Sequence, residues 1–253
     1  MFDQSKYDVR MEWGRRGARA AAERGNIVIV VDLLSFSSTV VTAVHHGALV
    51  FPYPPPLDLA KRYADEIGAE LLVGRAEAQR LGKRSLSPQA FNRDDAGRRI
   101  VICSLNGAAS TWAASHASDV LVGCLLNATA VAETAERLAS SRDGAAITVV
   151  ACGERWRDAA PGEDELRPAV EDYLAAGAIL SRLQGTRSPE AAVCAAAYGQ
   201  SAVRIEELIW DCGSGRELRA IGFAGDVGHC SSIDRYRAVP MLIGDRFVDA
   251  AFD

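Results

Sequence analysis

The sequence predicts an α/β protein, with a three-layer α/β/α architecture and a mostly parallel or mixed central sheet. Short β-branched runs alternate with longer Ala- and Leu-rich stretches of helical period, a pattern typical of strands joined by crossover helices. The runs 27–31, 99–103 and 146–151 are strongly apolar, as expected of parallel strands covered on both faces. With 253 residues and 49% hydrophobic side chains, the chain can bury an extensive core without a disulfide or a structural metal.

The first half of the chain supplies several strand–helix units. Residues 1–25 carry many charges and no apolar segment, so we expect an N-terminal extension without a secretory signal. The run 26–31 predicts a buried strand that ends at Asp32, and 38–46 predicts a helix that Gly47 stops. The following segments are a strand at 49–51, a proline-rich loop at 52–56, a helix at 57–67, a strand at 70–73 and a long, mostly loop segment at 75–98.

The second half continues the alternation and then changes character. The predicted elements are strands at 99–103, 120–123 and 146–151, helices at 108–116 and 128–139, a charged segment at 154–165, helices near 167–183, 189–198, 201–208 and 215–221, a Gly/Asp-rich loop and a last strand at 238–243. No linker-like composition accompanies the change near residue 153. We therefore expect a single domain over 1–253, with at most a subdomain change at that point.

Composition restricts the class of partner. The net charge of -5 implies no broad basic face, so we expect no nucleic-acid partner. The longest apolar run, 27–31, is far too short to span a bilayer, so we expect no membrane partner. The six cysteines form no C-x-x-C pair, which is typical of a reduced, cytoplasmic protein. These features favour a small-molecule partner, and they leave a homodimer open.

The turn after the first predicted strand is the first candidate site. An aspartate directly after a buried strand, here Asp32, can act as a nucleophile or as an oxygen ligand for Mg²⁺. The hydroxyls of Ser37 and Ser38 and the N–H groups that open the next helix suit a phosphate. The alternative is that Asp32 and Ser37 serve only the turn and the helix cap.

Two further strand ends carry polar residues. Gly107 lets the backbone approach a ligand closely, and Asn106 offers a hydrogen-bond donor and an acceptor. The alternative is that Asn-Gly is an ordinary turn between a strand and a helix. Glu154, together with the later pair Glu171 and Asp172, can hold Mg²⁺ through carboxylate oxygens. The alternative for the later pair is that its charges match the dipole of a helix.

A C-terminal loop offers a fourth candidate. Asp226 and Asp234 flank His229 and Cys230, from which a metal site, an acid/base pair or a thiolate nucleophile can each be built. No H-E-x-x-H, G-x-S-x-G, G-x-G-x-x-G or Walker motif is present, which argues against zinc, serine-hydrolase, dinucleotide and P-loop chemistry.

The order of these motifs resembles the 2-phosphosulfolactate phosphatase family over about residues 26–243. The motifs that carry the resemblance are Asp32-Leu-Leu-x-x-Ser-Ser-Thr, Leu-x-Ser87-Pro88, Asn106-Gly107, Glu171-Asp172-x-x-x-Ala-Gly-Ala, Ser214-Gly-Arg-Glu-Leu, Gly222, Asp226-Val227, Cys230, Asp234 and Val239-Pro240. The resemblance implies a Mg²⁺-dependent α/β/α phosphatase. It further implies 2-phosphosulfolactate as the substrate, on a route toward coenzyme M.

The chain departs from that family at several motif positions. Ser35 stands where the family typically has an arginine, Gly74-Arg75 stands for Gly-Glu-Arg, Leu86 replaces the Asn before Ser-Pro, and Ala108 replaces the Thr after Asn-Gly. Losing a guanidinium that binds an anion costs about 1.5–3 kcal/mol per charged hydrogen bond. Arg75 is the candidate that replaces it.

Residues and resemblance together predict a phosphatase that acts on a small acidic phosphomonoester. We expect Asp32 as metal ligand or nucleophile, and Asp226 or Asp234 as second ligand or general base. The further expected roles are Mg²⁺ binding by Asp32, Glu154 and Asp172, and substrate binding by Ser37, Ser38, Arg75, Asn106, Gly107 and Cys230. Two rivals stay open: a diverged enzyme for another phosphorylated or sulfonated acid, and a non-catalytic anion-binding protein.

Overall fold

A nine-stranded central sheet organises the fold in this computed structural model, which describes residues 3–156 and 158–251. Its strands are β1 (Val9–Trp13), β2 (Ile27–Val31), β3 (Leu49–Tyr53), β4 (Glu70–Leu72), β5 (Arg99–Cys103), β6 (Asp119–Val122), β7 (Ile147–Ala151), β10 (Pro240–Ile243) and β11 (Arg246–Asp249). A separate two-stranded hairpin contains β8 (Glu154–Arg155) and β9 (Leu166–Arg167).

Eleven α-helices connect the strands of the described chain. They are α1 (Gly14–Glu23), α2 (Phe36–His45), α3 (Leu57–Ile67), α4 (Arg75–Leu81), α5 (Gly107–Ala113), α6 (Ala128–Ser141), α7 (Val170–Leu180), α8 (Pro189–Ser201), α9 (Ile205–Asp211), α10 (Gly213–Ala220) and α11 (Ala224–Cys230). None of the helices in the described ranges is both long and apolar enough to span a bilayer.

The sheet consists of two parallel groups joined by an antiparallel hairpin. The strand order is β1-β7-β2-β6-β10-β11-β3-β5-β4. Strands β1, β7, β2 and β6 pair in parallel, as do β3, β5 and β4. Between the groups, β10 pairs antiparallel with β6 and β11, and β11 pairs antiparallel with β3. Three antiparallel pairings in succession mean that the two parallel groups run in opposite directions.

Side-chain alternation along β2 shows the three layers. Ile27, Ile29 and Val31 belong to the largest core cluster, which also holds side chains of α2, α6 and α7. Val28 and Val30 point to the other face and pack in a second cluster with alanines of α1. Because both faces of this strand are covered, the predicted α/β/α architecture with a mixed central sheet is confirmed.

The N-terminal segment is part of the sheet and not an extension. Strand β1 pairs in parallel with β7 over its whole length, and Ala18 and Ala21 of α1 are fully buried. The expectation of an extension over residues 1–25 is therefore wrong for 9–23. Arg10 is the reason that the strand could not be recognised. Its guanidinium is buried and donates hydrogen bonds to Tyr7 O and Asn26 Oδ1, so a charged residue occupies a position where the strand pattern would show an apolar one.

Three other segments also differ from expectation. Residues 75–98 contain α4 and two short 3₁₀ helices, Pro88–Ala90 and Arg93–Asp95, although no apolar period marks them. The expected loop at 226–234 begins inside α11, and the expected last strand is followed by a further strand, β11. Polar, glycine-containing helices of one or two turns take their stability from tertiary contacts, and their sequence pattern is therefore weak.

Candidate active site

Asp32 lies at the carboxyl end of β2 and is held by backbone donors. Its Oδ2 accepts a hydrogen bond of 2.8 Å from Gly107 N, and its Oδ1 accepts one of 3.3 Å from Phe36 N. Gly107 is needed for this approach, since a Cβ at that position would lie 2.2 Å from Phe36 Cδ1. The structure therefore brings the first two sequence-predicted loops into direct contact.

Helix α7 supplies two more buried carboxylates. Asp172 accepts hydrogen bonds from Leu33 N at 2.7 Å and from Gly153 N at 2.8 Å, which join the ends of β2 and β7. Glu171 accepts a hydrogen bond from Ser214 Oγ of α10. Both carboxylates are 3% exposed, too buried for the solvated surface position that the dipole alternative requires.

Glu154 completes this group of acids from the hairpin. Its Oε2 accepts a 3.0 Å hydrogen bond from Asn106 Nδ2. Both side chains line a cleft of about 590 Å³ that opens beside α1 and the β8–β9 hairpin. Asn106 and Glu154, expected in the site from different loops, are thus bonded to each other in the lining of this cleft.

The four carboxylates of Asp32, Glu154, Glu171 and Asp172 repel one another. Burial is the main cause that raises the pKa of Asp32 to about 6, with Glu171 adding to it. Burial and the charge of Asp32 likewise raise the pKa of Glu154 to about 7 and that of Asp172 well above its usual value. We call these four residues the carboxylate group. Their negative charges are not balanced by an equal number of neighbouring positive charges among the described residues.

Arg75, the first residue of α4, is the cation facing this group. Its Nη2 donates to Ser35 Oγ and to Leu86 O, both at 2.6 Å, and lies 3.5 Å from Asp226 Oδ2. Its guanidinium also lies over the ring of Phe223, 5.1 Å from the centroid. The Nε–H is buried and has no acceptor among the described residues, so this cation keeps a donor for a ligand.

Asp226 contacts Arg75 and does not belong to the carboxylate group. Its Oδ1 accepts a 2.6 Å hydrogen bond from Ser87 Oγ, and the residue is 2% exposed. Burial raises its pKa, while Ser87 and Arg75 act in the opposite direction. The contacts assign Asp226 to holding the guanidinium in place.

Ser37 and Ser38 are buried in the turn and bond to the backbone. Ser37 Oγ accepts from Asp32 N at 2.9 Å and donates to Val30 O, and Ser38 Oγ donates to Leu33 O at 2.8 Å. Both residues are 0% exposed. The turn that presents Asp32 thus uses both hydroxyls, which favours the turn and cap alternative; phosphate binding by them stays an untested prediction.

Cys230 and Asp234 lie apart from the carboxylate group. Cys230 is 0% exposed, and burial raises its thiol pKa strongly, which makes it a core residue and not a substrate contact. Asp234 accepts hydrogen bonds from Thr129 N at 2.7 Å and Thr129 Oγ1 at 2.6 Å, and pairs with Arg182 at 3.1 Å. These contacts make Asp234 a cap at the start of α6, and its expected catalytic role stays an untested prediction.

Sequence reasoning missed several residues that shape the site. Ser87 was noticed only as part of a motif, and the roles of Ser35 and Ser214 went unseen. Each is a small hydroxyl side chain in a turn or at a helix start, which carries no distinctive pattern. Only the spatial pairing of Ser87 with Asp226 and of Ser214 with Glu171 reveals their function.

The fold and the candidate site are those of an α/β/α protein that places buried carboxylates near a largely buried arginine. A sequence model described as 2-phosphosulpholactate phosphatase matches residues 16–245. The chain therefore belongs to the 2-phosphosulfolactate phosphatase family, whose members are phosphoric monoester hydrolases.

Individual relatives agree with this assignment. The chain is 27% identical to a probable 2-phosphosulfolactate phosphatase of Pseudothermotoga lettingae over 238 residues, which cover 89% of this chain and 93% of the relative. It is 28% identical to the 2-phosphosulfolactate phosphatase of Methanothermobacter thermautotrophicus over 208 residues, which cover 82% and 83%. A probable 2-phosphosulfolactate phosphatase of Thermotoga petrophila is 28% identical over 225 residues, covering 87% and 90%.

Proposed function

We propose that this protein is a Mg²⁺-dependent phosphatase that hydrolyses 2-phosphosulfolactate, or a closely similar acidic phosphomonoester, to the hydroxy acid and phosphate. The observation that carries the proposal is the position of Arg75. Its guanidinium contacts Ser35, at the position where the family typically has an arginine. On this proposal Arg75 supplies, from α4, the anion-binding cation that the family resemblance counts as missing at position 35.

The carboxylate group suits Mg²⁺. Among residues 3–156 and 158–251, no group of three or more His, Cys, Asp or Glu side chains is arranged to hold a metal ion by itself. Mg²⁺ does not need one, since it commonly binds through one or two carboxylates plus water and substrate phosphate oxygens. Oε2 of Glu154 accepts its hydrogen bond from Asn106, and its Oε1 has no hydrogen-bond donor among the described residues and would be available to an ion. Asp32 would be shared between Gly107 N and the ion.

A bound Mg²⁺ would neutralise the excess negative charge and polarise the phosphoryl group. The chain's own residues then have separate tasks. Arg75 binds the phosphoryl oxygens through its free Nε–H, and Asp226 keeps the guanidinium oriented. Asn106 fixes the side chain of Glu154, so the carboxylates converge without a rearrangement that would cost free energy in each turnover.

The proposal is tested by phosphate release from 2-phosphosulfolactate with Mg²⁺ and with EDTA. Asp32→Asn keeps the size of the side chain but removes its charge, and is expected to lower kcat at least 100-fold. Asp119→Asn is the matched control, because Asp119 pairs with Arg142 at the amino end of β6, next to Ile27 and at the opposite end of β2 from Asp32. Mg²⁺-dependent activity that survives Asp32→Asn would show that the assigned centre is wrong.

A panel of phosphorylated small acids separates the rival functions. Turnover of another member in preference to 2-phosphosulfolactate would identify a diverged enzyme of the same fold. Tight binding without turnover across the panel would identify a non-catalytic anion-binding protein. Cytoplasmic location, a homodimer and a role toward coenzyme M stay predictions.

A further inference from the structure

We propose that Arg167, on the β8–β9 hairpin, binds an acidic group of the substrate other than the phosphate, namely its carboxylate or its sulfonate. The inference rests on the proposed function and adds a specificity-determining residue to it. Neither the sequence motifs nor the family resemblance points to this residue. It follows from the hairpin register and from what surrounds the guanidinium.

The hairpin register places Arg167 beside the carboxylate group. Glu154 and Arg167 are directly opposed in the antiparallel β8–β9 pair, so their side chains leave the same face of the hairpin. On the other face, Leu166 packs against Gly14 and Gly153, which fixes the hairpin on the ends of β1 and β7. Since Glu154 points to Asn106 at the site, Arg167 is directed to the same side.

The guanidinium of Arg167 lies at the start of α10. Its Nη2 is 3.3 Å from the point that a Cβ on Gly213 would occupy, so the glycine makes room for it. The next residue, Ser214, donates to Glu171 of the carboxylate group. On its outer side the guanidinium stacks over Trp156, 5.4 Å from the ring centroid. The Trp156 ring thus holds the guanidinium at the start of α10, where the positive end of the helix dipole repels the cation but would add to the attraction for an anion bound there.

The guanidinium of Arg167 has no ion-pair partner among residues 3–156 and 158–251. Its side-chain interaction there is the cation–π contact with Trp156. Arg155, which follows Glu154 on β8 of the same hairpin, pairs instead with Glu165 at 2.9 Å. A cation stacked on a ring keeps its N–H edge free, and the fork of a guanidinium matches the oxygens of a carboxylate or sulfonate. A second anion on the substrate would supply the missing partner.

The chemistry of the substrate fits two separate cations. A phosphomonoester with an adjacent acid carries negative charge at both ends, and Arg75 can face only one of them. With Arg75 on the phosphoryl side and Arg167 across the carboxylate group, the two arginines would orient the molecule in a single direction. Compounds without the second acid would lose the contact with Arg167 but keep the contact with Arg75.

The test compares 2-phosphosulfolactate with isopropyl phosphate, which keeps the secondary phosphate ester but lacks both acids. We expect Arg167→Met to raise KM for 2-phosphosulfolactate about 10- to 100-fold, the effect of losing a charged hydrogen bond or two, with kcat changed far less. The KM for isopropyl phosphate should change less than twofold. Arg167→Lys should recover part of the loss. Equal effects on both compounds, or no effect on either, would overturn the inference.

Two controls separate this inference from the proposed function. Arg155→Met removes an arginine from the same hairpin and should leave both KM values within twofold. A loss of similar size in that variant would show that hairpin stability, and not Arg167, controls binding. If the wild-type protein hydrolyses neither compound, the proposed function fails. Calorimetry with 3-sulfolactate then still tests Arg167, because equal affinity in wild type and Arg167→Met would refute the anion contact.

Discussion

Replacing Arg75 by methionine should destabilise the protein by about 3–5 kcal/mol, because it leaves a buried carboxylate without its cation. Asp226 is 2% exposed, and its only described side-chain donors are Arg75 at 3.5 Å and Ser87 at 2.6 Å. The side chain of Arg75 is itself only 14% exposed, so water screens the pair weakly. Methionine retains most of the apolar volume of the arginine, which isolates the effect of charge.

The magnitude can be checked with a double-mutant cycle. Two unit charges 3.5 Å apart attract by about 5 kcal/mol at an effective dielectric constant of 20, before any relaxation. Local rearrangement in the single variants reduces the measurable coupling to about 2–3 kcal/mol. Arg75→Met/Asp226→Asn should therefore be more stable than Arg75→Met alone, since the second substitution removes the stranded charge.

Urea unfolding followed by tryptophan fluorescence measures each corner of the cycle, at pH 5 and at pH 8. Without Arg75, the pKa of Asp226 in the folded state rises further above its unfolded value. A carboxyl with a raised folded pKa loses stability as pH rises through that pKa, so the deficit of Arg75→Met should be larger at pH 8. A coupling near zero, or a deficit that shrinks at pH 8, would refute the pairing.

Other parts of the structure make further predictions. Gly107→Ala should lower the free energy of unfolding by about 1–3 kcal/mol in urea titrations, because its Cβ would collide with Phe36; unchanged stability would contradict the close approach. Asp234→Ala should cost about 0.5–2 kcal/mol through the lost cap on α6 while kcat stays within twofold, and a large fall in kcat would restore its catalytic role. Burial lowers the pKa of His229 to about 4, so wild-type stability should fall as pH drops from 6.5 toward 4. In His229→Gln that slope should flatten; an equal slope would place the titration elsewhere.

The central strands could be predicted because their side chains are covered on both faces. The Ile27–Val31 strand is buried at every position, so its sequence is apolar throughout and ends where Asp32 leaves the sheet. Strand β1 could not be recognised in this way. It lies at the edge of the sheet, and Arg10 satisfies its charge through local hydrogen bonds, so a strand looks like a charged tail.

The sequence predicted which strand ends contribute residues to the site, but not how those residues are arranged in space. The rule that ligands bind where the carboxyl ends of strands meet presumes strands of one direction. Here β2 and β5 belong to parallel groups of opposite direction, and only the contact between Gly107 N and Asp32 shows that their loops meet. The backbone hydrogen bonds of Ser37 and Ser38 could not be predicted either, because sequence cannot tell a hydroxyl that faces a ligand from one that closes its own backbone turn.

The exchange between positions 35 and 75 shows why charge must be counted in space. The family resemblance counts an arginine as missing at Ser35 and a carboxylate as missing between Gly74 and Arg75, so the sequence alone suggests that two functional groups are lost. In the structure the two changes meet, since Nη2 of Arg75 lies 2.6 Å from Ser35 Oγ. A serine at position 35 is small enough to admit the guanidinium and also accepts its hydrogen bond. One positive charge therefore lies beside both Ser35 and Asp226, whichever position of the chain supplies it.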